Sequence, residues 1–425
     1  MTPTDGGAPA SSSGSPPGAE GGGRGVPRAV ADLLRTEAAG GVVLLAATVA
    51  AVAWANSPWR AAYGSLLHTG VRLGVGGLTV RRDLVGFVNE ALMAVFFFLV
   101  GLEVKRELVA GELRSWRTAA LPAIAAVGGM ALPAAIYEAL TRGGPGAPGW
   151  GVPIATDVAF AVGVMAVLGP RVPSSLRLFL LTLATVDDLV AIVIIAVGYS
   201  SGISLAALAM AAALVAAIVA LRILGARWAP VYVVAGVGVW AAVLRSGVHP
   251  TLAGALLGLL VPARPPRRSA PAATESPPGA SSSTAERVEH RLRPVVSLAV
   301  VPLFALANAG VAVGGGLLHG PGATRLVVAG VVARVGGKVV GILAFAWMAV
   351  RVGLGALPAG VSWRQMAGAA ATAGVGLTVA VFLADLALPP ALAGAAVAAT
   401  LAASVVAAVA GAAVLIWAAR KPNEP

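Results

Sequence analysis

No cysteine occurs among the 425 residues, which excludes disulfides and thiolate metal centres. Charge is also scarce, at 11% of the residues, and only 18 of these are acidic. Aromatics make up 5%. The 30 basic residues leave a formal charge of +12, which would suit a nucleic-acid surface if they were gathered into a stripe interleaved with aromatics. They are not; they lie between apolar runs, as membrane topology demands, so no nucleic-acid partner is expected. What remains is 58% hydrophobic. A soluble domain has no use for that much apolar surface, and the class is an all-α polytopic membrane protein.

Residues 1–27 consist largely of Gly, Pro, Ser and Ala and cannot form a core; no cleavable signal precedes the first apolar run near Gly40. A second low-complexity stretch, ARPPRRSAPAATESPPGASSSTAER (Ala263–Arg287), divides the hydrophobic part in two. The expected organisation is a disordered tail (1–38), a first membrane half (39–262), a Pro/Ser-rich linker (263–290), a second membrane half (291–420) and a short tail (421–425). About twelve spans are predicted, eight in the first half and four in the second. They lie near 40–56, 84–106, 118–140, 152–169, 176–199, 204–222, 229–244, 248–262, 294–314, 325–350, 362–386 and 390–419. Between the first two, the alternating piece VRLGVGGLTVRR predicts a small surface hairpin. An even number of spans puts both termini on one side. The segments of that side hold roughly three times the Lys and Arg of the other, so tails and linker are expected in the cytoplasm, the host membrane being a bacterial plasma membrane.

Within the apolar runs a few ionisable residues stand out: Asp157, Asp187, Asp188 and Asp385, and less deeply Glu90, Glu103 and Glu138. Each aspartate at the centre of a membrane helix costs roughly 2.5–3.5 kcal/mol, and LATVDDLVAI carries two in succession. Arg334 and Lys338, four apart, share one helix face. The bland reading of such charges is a salt bridge holding two helices together. Three aspartates converging with one lysine point instead to an ion or proton pathway.

Asp157 stands in GWGVPIATDVAF, where Pro153 removes a backbone donor and Gly149 and Gly151 loosen the helix. A comparable break is expected in AGVGLTVAVFLADL, where Gly374 and Gly376 precede Thr378. Glycines there would also serve close packing. Paired breaks, one in each half, point to a transporter with a midplane site between inverted repeats. Buried carboxylates hold protons tightly, and a hard cation such as Na⁺ wants the same oxygens. Asp157 and Asp188 can therefore hold the cation or the protons but not both, which is antiport in its simplest form. Asp187, about 100° around the helix, faces another neighbour, and Lys338 is the evident partner.

Taken in order, FFFLVGLEVKREL (Phe96–Leu108), GWGVPIATDVAF (Gly149–Phe160), TVDDL (Thr185–Leu189), GVHPTLAG (Gly247–Gly254), VPLFALANAG (Val301–Gly310) and GGKVVGI (Gly336–Ile342) resemble the NhaA family of sodium/proton antiporters. The set covers nearly the whole chain from Gly40 to Arg420. The resemblance implies twelve helices, inverted-topology repeats and two interrupted, crossing helices. It also implies a pH-dependent, electrogenic exchange of Na⁺ or Li⁺ for protons, with no enzymatic activity and no cofactor. By motif match, Asp157 and Asp188 would hold the transient Na⁺ or Li⁺, with Thr156 beside them. Asp187 would pair with Lys338, and the second proton would belong to one or the other. Glu103, Lys105, Arg106, His249 and Glu289 resemble residues linked to pH response. VEHRLRP departs from the pattern, with Arg293 where another histidine is usual. Arg334 and Asp385 have no place in it, and a structural pairing with each other or with Glu138 is expected. Besides the bilayer and the ions, a second copy of the chain is the one protein partner anticipated.

Other readings fit less well. An intramembrane aspartyl protease needs a Gly-x-Gly-Asp context, and a membrane prenyltransferase needs aspartate-rich Mg²⁺ loops; neither is present. A sodium-coupled symporter would need an amphipathic solute pocket, which no stretch resembles.

Overall fold

The computed structural model describes residues 28–75, 78–200, 202–225, 228–263, 283–312, 314 and 320–420. Residues 1–27 of the expected tail, 264–282 of the linker and 421–425 lie outside that set. The chain begins with α1 (Arg28–Ala55) and α2 (Arg60–Leu67), then an antiparallel hairpin of β1 (Gly70–Val75) and β2 (Leu78–Asp83) pairing Gly70 with Asp83. There follow α3 (Leu84–Val109), α4 (Trp116–Thr141), a 3₁₀ segment (Ala147–Ile154), α5 (Val158–Val167), α6 (Ser174–Gly198), α7 (Leu205–Ile223), α8 (Ala229–Arg245) and α9 (Thr251–Leu260). The last part comprises α10 (Thr284–Asn308), α11 (Ala323–Arg351), α12 (Trp363–Thr372), α13 (Thr378–Ala387) and α14 (Pro390–Arg420). Helix α1 starts inside the expected tail, and α10 starts inside the expected linker.

Each of the twelve apolar runs contains helix, but the described residues provide only eight helices long and apolar enough to cross a membrane. The bent pair α1–α2, turning by 116°, would make nine. The shortfall from twelve has a local cause. Helices α8, α9 and α13 are short, and α12 and α13 are two halves of one interrupted run.

Small residues set how the helices meet. A Cβ on Gly128 of α4 would lie 2.3 Å from the Gly341 carbonyl oxygen, and one on Gly341 of α11 would lie 2.1 Å from that of Gly128. The two backbones therefore touch, as close membrane packing requires in the absence of a hydrophobic driving force. Capping boxes start α10 (Ser283 with Glu286) and α12 (Ser362 with Gln365), satisfying amides that the first turn leaves open. Three helices contain one wide π turn each: Val88–Leu92 in α3, Val296–Val300 in α10 and Ala333–Gly337 in α11. In α10 the cause is legible, since Pro302 has no N–H for the Leu298 carbonyl. Two apolar cores flank the polar centre. One gathers Leu44, Phe97, Phe304 and Phe382, the other Met165, Leu180, Ile342 and Met366. Helices α7 to α9 share a smaller cluster of their own, and α7 turns Leu205 and Ile223 outward, 77% and 80% exposed.

Candidate ion site

Both expected breaks exist. After the 3₁₀ segment the chain is extended through Ala155–Asp157 before α5 begins, and 373–377 separates α12 from α13. The breaks lie against each other. The Asp157 amide donates to the Val375 carbonyl (2.9 Å), and the Thr156 hydroxyl lies 3.1 Å from the Ala373 carbonyl. Open backbone of this kind is tolerated at membrane depth only where protein groups complete it.

Charge completes it. Two helices start at the crossing, and the positive ends of their dipoles meet one carboxylate. Asp157 is the N-cap of α5, its Oδ1 accepting from the Phe160 amide at 3.3 Å. Its Oδ2 accepts from the amide (3.3 Å) and hydroxyl (3.0 Å) of Thr378, the first residue of α13. The carbonyls at the end of the 3₁₀ segment meet cations instead. Arg334 donates to the Ala155 (2.9 Å) and Val152 carbonyls, and Lys338 donates to that of Ile154. Arg334 lies in the π turn Ala333–Gly337 and Lys338 directly follows it, and both are fully buried. Glycine at 376 is required here, because a Cβ would sit 1.9 Å from Arg334 Nη1 and 2.6 Å from the Ala155 oxygen.

The adjacent aspartates of α6 separate as their angular offset requires. Asp187 accepts through Oδ2 from Lys338 Nζ (2.9 Å) and from the Thr156 hydroxyl (2.5 Å), while its buried Oδ1 has no hydrogen-bond partner among the described residues. Asp188 faces the other way, into a cavity of about 80 Å³ that Thr156, Asp157 and Thr378 also line. At about 30 Å³ per water, that is room for a partly hydrated monovalent ion. Among the described residues no hydrogen bond reaches the Asp188 carboxylate. Nor is any group of three or more His, Asp or Glu among them placed to hold a resident metal.

Glu103, Arg106 and Arg293 line the same cavity. Arg293 bridges Glu103 (2.8 Å) and Glu289 (2.6 Å); Arg106 lies 3.2 Å from both Glu289 and Glu107. Three of the five residues assigned to pH response by resemblance thus form one ion network between α3 and α10. Lys105 and His249 do not join it. His249 shares a hydrogen bond with Thr251 (2.9 Å), and its ring stands edge-on to Phe382 with centroids 4.9 Å apart.

Two expectations need correction. Arg334 and Asp385 do not pair with each other or with Glu138, because Arg334 is consumed by the carbonyls of the break, and Asp385 accepts from the Asn89 amide (3.0 Å). Residues absent from the expected site also belong near it. Thr378 holds Asp157, and the symmetry of two Thr-bearing breaks was its available signal. Arg293, read only as a departure, ties the network together.

A bundle of long apolar helices with a buried carboxylate cavity where two helix breaks meet defines a multi-pass membrane protein. The chain matches the family described as Na⁺/H⁺ antiporter 1 over residues 31–415. It is 46% identical over 383 residues to the Na⁺/H⁺ antiporter NhaA 2 of Sorangium cellulosum, covering 83% of this chain and 82% of that protein. It is 48% identical over 364 residues to the NhaA antiporter of Acidovorax sp., covering 84% of each. Against the NhaA antiporter of Escherichia coli the figures are 44% over 355 residues, 83% of this chain and 88% of that one. The chain belongs to the NhaA family of Na⁺/H⁺ antiporters.

Proposed function

We propose that this chain exchanges Na⁺ or Li⁺ for protons, exporting the metal ion from a bacterial cell, with Asp157 and Asp188 as the groups that hold either cargo. The observation that carries the reading is the shared cavity. Asp157 enters it already fixed by three donors, whereas Asp188 enters it without one. A fixed carboxylate supplies a preorganised ligand, and an unfixed one is free to change protonation. Two neutral acids that ionise to take one Na⁺ release two protons, so each cycle moves net charge. Asp187 or Lys338 is the alternative source of the second proton, in place of Asp157, which keeps two protons per ion.

Twelve spans with inverted repeats and both termini in the cytoplasm complete the proposal. The paired breaks and the roughly threefold excess of basic residues on one side support it. That orientation puts the Glu103–Arg293 network at the cytoplasmic mouth. Acid should turn transport down mainly by competition, since protons on Asp157 and Asp188 exclude the cation. Rates in everted vesicles, measured against Na⁺ at a series of pH values without organic substrate, test all of this. Proton release on adding Na⁺, dependence on membrane potential and rescue of the acid-side loss by saturating Na⁺ are expected. Exchange indifferent to potential would defeat the stoichiometry, and an acid-side loss that Na⁺ cannot rescue would give the network the larger role.

A further inference from the structure

A second cavity, of about 400 Å³, opens beyond Thr378 at the hairpin end of the bundle. Its wall includes Asp385 of α13 and Asn308, the last residue of α10. Behind them lies Asn89, 8% exposed, in the π turn of α3. Its amide nitrogen donates to Asp385 Oδ2 (3.0 Å) and to Asn308 Oδ1 (3.1 Å). Asn308 in turn donates to Asn89 Oδ1 (2.8 Å) and to the Phe304 carbonyl (2.9 Å). Each amide has two N–H donors, and in both residues they are used. Asp385 is therefore held by one oxygen, while Oδ1 accepts no hydrogen bond among the described residues. It has no cationic partner among them either, and it is exposed at the cavity wall.

Thr378, Val381 and Asp385 fall at i, i+3 and i+7, on one face of α13. Seven residues at 1.5 Å each place Asp385 roughly 10 Å along the helix from the ion site. The near end of that face lines the first cavity, and Val381 and Asp385 line the second. Asp83 at the head of α3 is close enough to act on Asp385 electrostatically, adding a second negative charge to this end.

We propose that Asp385, with the Asn308 side chain beside it on the cavity wall, is a second station for a monovalent alkali cation, between the buried site and the outer face. The inference rests on the antiport reading and on the orientation given with it. A hard cation takes oxygen ligands, and here one carboxylate oxygen is uncommitted on a wall that the Asn308 side chain shares. The cavity has room for about a dozen waters at roughly 30 Å³ each, so the ion keeps most of its shell there. It binds loosely and moves on, which is what a transfer station requires. The alternative role is purely architectural, with the three polar residues tying α3, α10 and α13 together.

Sidedness separates the two roles. The full-length protein is reconstituted in vesicles of uniform orientation, and half-saturating Na⁺ is measured with the ion presented at each face in turn. For Asp385→Asn the ratio of outer to cytoplasmic half-saturating concentration should rise roughly tenfold, while Asp385→Glu should stay near wild type. An unchanged ratio, whether because neither value moves or because both move together, would overturn the station in favour of the architectural role. Should Asp385→Asn fail to fold, Asn308→Asp decides. The added carboxylate should lower the outer value, and a ratio unchanged or raised would refute the proposal. Wild-type vesicles that exchange nothing at either face would overturn the antiport reading and the station together.

Discussion

The two helix breaks look alike in outline and differ in chemistry. The first carries Thr156 and Asp157 and draws in Arg334 and Lys338. The second, 373–377, contains no ionisable side chain, and its Gly376 is served by one hydroxyl: Ser404 accepts from the Gly376 amide (3.1 Å) and sits 2.6 Å from its carbonyl. What the second break contributes is position, because it aims Thr378 at Asp157. Paired breaks need not share the chemistry. One carries the carboxylate, and the other is an uncharged mould around it.

The largest test of that division lies at the charged side. Asp188→Asn should abolish exchange while leaving thermal stability near or above wild type, since removing the charge relieves an insertion cost of roughly 2.5–3.5 kcal/mol. Asp157→Asn should keep some transport at weakened Na⁺ affinity, read in the same vesicle titration. Full activity in Asp188→Asn would sink the site.

Stability responds most to the cations that close the first break. Removing one partner of a buried pair typically costs roughly 3–5 kcal/mol, so Lys338→Ala should melt well below wild type in detergent. Asp187→Asn with Lys338→Gln should recover part of that loss. A double-mutant cycle showing no coupling would mean that the 2.9 Å contact has no energetic weight.

Changes at the uncharged break should be milder. Thr378→Val removes the hydroxyl donor to Asp157 but not the amide, so half-saturating Na⁺ should rise about tenfold, a hydrogen bond to a charged group being worth roughly 1.5 kcal/mol at the low end of its range. A shift as large as that of Asp157→Asn would show that the second break does more than position.

The smallest effect belongs to the hairpin, outside the spans. The His68 ring 2.9 Å from Asp83 holds that carboxyl below its ordinary value of 3.8. A depressed acid contributes its stability in full above the unfolded value and loses it as pH falls through the folded one. Hydrogen exchange in 70–83 should therefore be insensitive to this link down to about pH 4 and quicken only below 3.8, and His68→Ala should narrow that difference. Quickening already at neutral pH would point elsewhere.

Local patterns made much of this legible. The hairpin rests on alternation, the first break on Pro and Gly and the second on Gly alone, each near a threonine, and the Asp187–Lys338 meeting on angular offset. Arg334 was illegible for a physical reason: its partners are main-chain oxygens 179 and 182 residues away, and a carbonyl leaves no trace in the sequence. The span count was legible only in part for the same kind of reason, because hydropathy does not register where a helix stops in mid-run. His249 was legible only as a motif match, and its neighbours, Thr251 and Phe382, are not those of the network at Glu103. Thr378 could have been paired with Thr156 by position alone, though not with Asp157.

Where α4 and α11 touch at Gly128 and Gly341, no side chain lies between the backbones to act as a bearing. The pair is a weld. Interiors packed this closely switch between discrete arrangements and do not slide. Lys338 and Arg334 thus travel with α4, and any stroke that turns Asp188 from one face to the other must carry α3, α6 or α10 past this strut. Because the chain has no native thiol, cysteines placed as a pair across the weld would cross-link without background and leave turnover intact, whereas a staple from the strut to α6 would arrest it.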